Sequence, residues 1–296
     1  MGFLRYFYSM ALNLPTFYKR TGSAIVFAII MLAGLLWNQW SFLTLVCLIE
    51  FLCYKEFITL VKKIYPGISW PLWLTVAYSL LGILLLLPVN GILSSMKGNE
   101  PENQNFLMLA SFSWKALPII PVISFMGALL IKKDALYALL LSFLGMLYIT
   151  LPMLSLLFMH HTNFVIPLAL ILMIWTNDTM AYLVGSFIGR TPFSAISPKK
   201  TWEGTIGGAI LTIAGAAAYG YFSHQFPSIK MIDWMALALC AAVAGTIGDL
   251  MESKLKRMAN VKDSGAIMPG HGGALDRFDS LLVAAPFAAM YVWWCM

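Results

Sequence analysis

Residues 134–159 read DALYALLLSFLGMLYITLPMLSLLFM, with one charged side chain, Asp134, at the very start. A helix rises about 1.5 Å per residue, so about 20 apolar residues cross the roughly 30 Å hydrocarbon layer of a bilayer. A helix on the surface of a soluble domain keeps a polar face, and this stretch has none. Its solvent is therefore lipid. Every backbone N–H and C=O must then be paired within the segment, which selects a helix, and no ten-residue alternating pattern of a barrel is present.

Similar windows recur on both sides, at 22–38, 41–61, 70–90 and 112–131 before it, and at 163–188, 203–224, 232–252 and 278–296 after it. The first is short, and the fourth contains Pro118 and Pro121. The composition agrees: 60% of the 296 residues are hydrophobic and 11% charged, against about 25% charged in a soluble domain. The expected fold is all-α, a polytopic membrane helix bundle of about nine transmembrane helices forming a single integral membrane domain over 1–296. Residues 1–130 are expected to form N-terminal scaffold or dimer helices, and 163–296 the catalytic C-terminal helices and cytoplasmic loops. Polar residues 91–105 read as the largest outer loop. Cys47, Cys53, Cys240 and Cys295 lie in apolar runs without CxxC spacing, so neither a disulfide framework nor a zinc site is expected. The first 20 residues lack the apolar core and small-residue cleavage site of a removable signal.

With nine spans and a cytoplasmic N-terminus, the inner segments carry fifteen Lys and Arg and the outer ones only Lys97, Lys115 and Lys230. That bias follows the positive-inside rule and puts the C-terminus outside. The net charge of +6 is thus a topology signal, and nucleic acid is not an expected partner.

Two inner segments concentrate the remaining charge: TNDTMAYLVGSFIGRTPFSAISPKKTWEG (176–204) and GDLMESKLKRMANVKDSGAIMPGHGGALDRFDS (248–280). In the second, Asp249, Ser253 and Lys256 fall on one helix face by their i, i+4, i+7 spacing. Asp249 sits among Ala, Gly and Ile, where an ionised carboxylate needs a partner. Glu252, Lys254 and Arg257 read as ordinary helix-end charges. Asp276 and Asp279 open the last span and would serve as helix caps, but the pair follows a Pro-Gly-His-Gly-Gly turn that allows close backbone approach to a ligand. Asp249 and Asp276, from two helices, are the arrangement that a divalent cation bridging phosphates requires. In the first segment Asp178 is an intramembrane acid and hence a functional candidate. Gly185-x-x-x-Gly189 reads as a helix-packing face. GSFIGRT (185–191) fails as a P-loop, with one residue too few between its glycines and Arg for Lys. Thr201 suits a helix N-cap with Glu203 behind it, and Lys200 a phosphate contact. His160, His161 and His224 read as interfacial and receive no role.

Ser253, Lys256-Arg257, Lys262-Asp263, His271-Gly272-Gly273 and Asp276-Arg277-Phe278-Asp279 stand at the spacings of one long signature. It resembles that of the phosphatidate cytidylyltransferases, or CDP-diacylglycerol synthases; the Asp178-x-x-Ala-Tyr and Ser197-Pro-Lys-Lys-Thr201-x-Glu203-Gly segments are similar too. Met268 and Ala274 fill two hydrophobic slots less typically. The resemblance implies CTP and phosphatidic acid as substrates, CDP-diacylglycerol and pyrophosphate as products, a bacterial-type inner (cytoplasmic) membrane location with the site facing the cytoplasm, and a homodimer. It implies Mg²⁺ held at Asp249 and Asp276, with a monovalent cation such as K⁺ beside it. The catalytic set expected is Asp249, Asp276, Lys256, Lys200 and Arg277. Substrate contacts are expected from Asp178, Ser197, Thr201, Glu203, Ser253, Arg257, Lys262, Asp263, His271, Gly272, Gly273 and Asp279. The rival readings are a CTP-dependent polyprenol kinase and, in another class, an ion-coupled transporter; the latter usually shows two related halves, and none are visible here.

Overall fold

Helices follow one another from the first described turn to the last. The computed structural model describes residues 14–95, 101–116, 118–128, 134–223, 225–267 and 272–296. They form α1 (Leu14–Leu36), α2 (Gln39–Ile64), α3 (Leu72–Ser95), α4 (Pro101–Ala116), α5 (Ile119–Ala128), α6 (Ala135–Thr162), α7 (Val165–Ile188), α8 (Trp202–Phe222), α9 (Met231–Leu239), α10 (Gly245–Met258) and α11 (Leu275–Cys295). Among the described residues there is no β-strand, only an isolated bridge between Pro192 and Thr201.

Among the described residues, six segments are long and apolar enough to cross a membrane: Leu72–Leu93, Ala135–Thr162, Val165–Ile188, Trp202–Phe222, Met231–Met258 and Leu275–Cys295. Their outer faces are apolar as well, with Leu136 78% and Phe187 83% exposed, which suits lipid and not water. The three remaining expected spans differ in ways the residues explain. α1 contributes a shorter apolar stretch, Thr21–Leu36. α2 is a full helix but carries Glu50, Lys55 and Glu56 in its middle. The expected span 112–131 is divided: α4 ends at Ala116 and α5 begins at Ile119, with Pro118 at the break, where its ring disfavours helix in the residue before it. The expected outer loop 91–105 is also corrected, since α3 continues to Ser95 and α4 starts at Pro101.

The core lies between α2, α3, α6, α7 and α11. Tyr54, Ile58 and Leu60 of α2, Leu74 and Leu86 of α3, Ile149, Met153 and Leu157 of α6, and Ile166 and Leu170 of α7 are fully buried. His160 and His161 are packed against neighbouring helices: His160 stacks on Phe42 at 4.0 Å between ring centres, and His161 Nε2 lies 2.9 Å from Asn90 Oδ1. His224 lies outside the described residues.

Two close helix contacts position the polar end. α7 and α8 meet across small residues; a Cβ on Gly204 would come within 2.9 Å of Gly185 Cα, and one on Gly208 within 2.8 Å of Ala181 Cβ. Gly185 and Gly189 therefore act as a packing face. α9 runs into α10 through a π-helical turn, Cys240–Ala244, whose extra residue rotates the face that follows. Gly245 and Gly248 consequently lie against Ser280 and Asp279 of α11.

Candidate active site

Where Gly248 meets α11 the two backbones nearly touch: a Cβ there would overlap the Asp279 carbonyl. This contact brings together carboxylates from both helices. One oxygen each of Asp249, Glu252 and Asp279 lies within 4.8 Å of the others. Glu252 is fully buried; Lys256 lies against its Oε2, and its Oε1 accepts no hydrogen bond. Asp249 Oδ1 accepts from Ser253 Oγ at 3.3 Å.

Two lysines offset these acids. Lys200 pairs with Asp249, and Lys256 pairs with Glu252 one turn back and with Asp276 at 2.7 Å. Lys200 arrives on a tight hairpin between α7 and α8. Phe193 N donates to Lys200 O at 2.8 Å, Trp202 N to Thr191 O at 3.0 Å, and Lys200 N to Ser197 O at 3.0 Å. Thr201 caps α8 by accepting from Gly204 N at 3.2 Å. Glu203 accepts from Thr191 Oγ1 at 2.8 Å and from the amides of Arg190 and Thr191. Both residues, expected as substrate contacts, are engaged in holding the loop that presents Lys200.

Asp276 is similarly engaged. Its Oδ2 accepts from Gly273 N at 2.8 Å, Ser264 N at 2.8 Å and Ser264 Oγ at 3.0 Å, and its Oδ1 faces Lys256. It is not among the three acids that converge. Gly272 has φ +84°, and a Cβ there would overlap the Asp276 carboxylate, so glycine is required by the protein's own acid. His271 lies outside the described residues. Lys262 and Asp263 are exposed on the preceding loop, and Arg257 Nη1 reaches Val261 O at 3.5 Å.

Three cavities adjoin the cluster. One of about 360 Å³ is lined by Asp178, Lys199, Lys200, Thr201, Tyr182 and Asp249 among others. A second, about 280 Å³, is lined by Asp178, Asp276, Arg277 and Asp279 with Phe27 and Trp175. Asp178 borders both. Arg277 borders the second and also an apolar groove of about 470 Å³ built from α1, α2 and Phe278. A basic chamber, an acidic centre and an apolar groove thus adjoin one another at one end of the bundle.

The donor set fits a hard divalent cation. Converging carboxylate oxygens, with Glu252 Oε1 left without a hydrogen bond, are ligands of the type that Mg²⁺ takes in ones or twos while sharing phosphates. Sequence reasoning set Glu252 aside as a helix-end charge; its spacing three residues after Asp249, on the same face, was the available signal.

The family described as the Cytidylyltransferase family matches residues 18–295. A phosphatidate cytidylyltransferase of Haemophilus influenzae is 32% identical over 199 residues, 64% of this chain and 69% of that protein. One from Bacillus subtilis is 47% identical over 115 residues, 38% of this chain and 42% of its own length. One from Staphylococcus aureus is 44% identical over 118 residues, 39% of this chain and 44% of its own length. The aligned region thus spans about two thirds of the first protein and about two fifths of the other two.

Proposed function

We propose, because this chain belongs to the cytidylyltransferase family, that it transfers the cytidylyl group of CTP to phosphatidic acid, giving CDP-diacylglycerol and pyrophosphate. The observation that carries this reading is the meeting of the lysine-lined cavity, the acid cluster and the apolar groove around Asp178 and Arg277. An amphiphile whose headgroup reacts with a soluble polyanion needs those three surfaces side by side.

In the reaction a phosphatidate oxygen bonds to the α-phosphorus of CTP as the bond from that phosphorus to the β-phosphate oxygen breaks. A phosphomonoester with a second pKa of about 6 is already largely dianionic at neutral pH, so no strong general base is required. The protein's work is to bring two anions together and to offset charge on the leaving pyrophosphate. Lys199 and Lys200 line the cavity that suits the nucleotide phosphates. Arg277 stands where the acidic cavity meets the apolar groove and suits the lipid phosphate. Lys256 holds Glu252 and Asp276 in register.

Mg²⁺ would be held by Asp249 with Asp279 and Glu252, whose oxygens converge. Asp276, the second ligand expected from the sequence, has its Oδ2 taken by three donors and keeps only Oδ1, beside Lys256, for such an ion. A divalent ion there would neutralise nucleotide phosphate oxygens. A monovalent cation beside it and a homodimer belong to the same proposal. So does a course of nine crossings in a bacterial-type inner membrane, N-terminus and site on the cytoplasmic side and C-terminus outside, supported by the Lys and Arg distribution.

The test is labelled CTP with phosphatidic acid in mixed micelles, with and without Mg²⁺, products read by mass. CDP-diacylglycerol formed with equimolar pyrophosphate is the expected result. A phosphorylated polyprenol with CDP release marks a kinase, and no CTP consumption with either lipid overturns the enzymatic reading.

A further inference from the structure

A buried acid of α2 lies outside the two charged segments that form the site. Glu56, midway along α2, is 5% exposed and reaches across more than two hundred positions of sequence to the start of α11. Its Oε1 accepts from Ala274 N at 3.0 Å, and its Oε2 from Leu275 N at 2.9 Å and Ser264 Oγ at 2.7 Å. Ala274 and Leu275 carry amides from the opening of α11, which have no acceptor within their own helix. A carboxylate there satisfies them and sits at the positive end of the helix dipole. Glu56 is thus an N-cap supplied by a different helix.

The contact also reaches the acids of the site. The Ser264 hydroxyl stands 2.7 Å from Glu56 and 3.0 Å from Asp276 and has one proton to share between them. The backbone closes tightly around the carboxylate: a Cβ on Gly265 or on Gly273 would overlap it. Gly273, expected from the sequence to open the backbone to a ligand, makes room for Glu56.

We infer that Glu56 is a positioning residue of the reaction proposed above: it fixes Ser264, Gly265, Gly273 and the first turn of α11, so that Asp276 meets Lys256 and Asp279 meets Asp249 and Glu252 of α10. The inference rests on that functional reading for its catalytic arm. It also has a consequence that needs no substrate, because the amides of Ala274 and Leu275 are protected from exchange only while Glu56 accepts from them.

The experiment compares Glu56→Gln, Ser264→Ala and Glu50→Gln in the purified full chain. Gln keeps the volume of Glu but turns an NH₂ group toward donors. Glu50 is another buried acid of α2, bonded to Thr150 at 2.7 Å and lying against Gly82 of α3, and it controls for the loss of any α2 carboxylate. Expected for Glu56→Gln is faster hydrogen exchange at the amides of Ser264, Ala274 and Leu275, a kcat lowered roughly 10- to 100-fold, a KM for CTP within about twofold of wild type, and retained folding. Ser264→Ala shows the same direction more weakly, and Glu50→Gln leaves exchange in the loop and kcat unchanged. Unaltered loop exchange in Glu56→Gln overturns the inference, as does a kcat equal to wild type or a loss matched by Glu50→Gln. If Glu56→Gln does not fold, Ser264→Ala decides: wild-type exchange and kcat there overturn the inference. If the wild-type chain consumes no CTP, the functional reading fails while the exchange measurement still decides the clamp.

Discussion

The Lys256 ammonium lies 2.7 Å from Asp276 Oδ1 and against Glu252 at the same time, so a single cation of α10 ties down the first turn of α11. Its side chain is 13% exposed, and those of Glu252 and Asp276 are 0% and 5%. Water does little to screen this triad. Removing the cation leaves two buried carboxylates uncompensated, a loss of about 3–5 kcal/mol in buried pairs. Lys256→Met is therefore expected to lower the thermal midpoint in detergent by several degrees and to reduce CTP turnover about 100-fold. A variant with wild-type midpoint would show that the triad contributes no net stability.

Asp249, Asp279 and Asp276 are expected to separate by phenotype. Asp249→Asn and Asp279→Asn remove converging oxygens and should cut turnover by roughly 10²- to 10³-fold, while the protein still inserts and folds. A rise in thermal midpoint is expected when Mg²⁺ is added to the wild-type chain, since a ligand that binds only the folded state stabilises it, and these variants should abolish it. Asp276→Asn should lower turnover as well, but with a lowered midpoint in the absence of Mg²⁺, because its Oδ2 holds Ser264 and Gly273. Near-normal turnover in Asp249→Asn would remove the cation assignment.

Gly248 allows α10 and α11 to touch, and an added methyl would overlap the Asp279 carbonyl. Gly248→Ala is expected to push the helices apart, costing about 1–3 kcal/mol as overpacking does, and to reduce turnover more than an alanine placed at Gly215, where a Cβ meets nothing within 4 Å. Equal kinetics for the two variants would show that the acid cluster tolerates the displacement.

Membrane sidedness is testable with single cysteines in a cysteine-free background. Position 262, on the exposed loop after α10, should react with an impermeant maleimide only after cells are opened, and position 230, before α9, in intact cells. The reverse pattern would invert the proposed topology.

Much of this was readable without coordinates. The apolar windows named the helices because in lipid the backbone has no other way to satisfy its polar groups, and six of them match segments long enough to cross. The departures were local: Pro118 breaks the fourth window, and the polar stretch after α3 is helical from Pro101. Within the polar segments Asp249 stood out as a charge in an apolar setting, Lys256 by sharing its helix face and Lys200 as a phosphate contact before α8, and all three make ion pairs in the cluster. Asp276 was legible as important but not in its particular use. Glu56 was passed over, although an acid in the middle of an apolar helix was itself a signal.

Composition and hydropathy alone determined that the chain is a helical membrane protein whose charge gathers in two late segments. They could do so because burial in lipid acts on each segment separately. Which carboxylate faces which cation was decided only by tertiary structure. Glu56 meets Leu275 and Asp249 meets Asp279 because a glycine contact, a π-helical turn and a capped helix start set the offsets between helices. Those offsets depend on partners far apart in the chain, and no window of residues contains both.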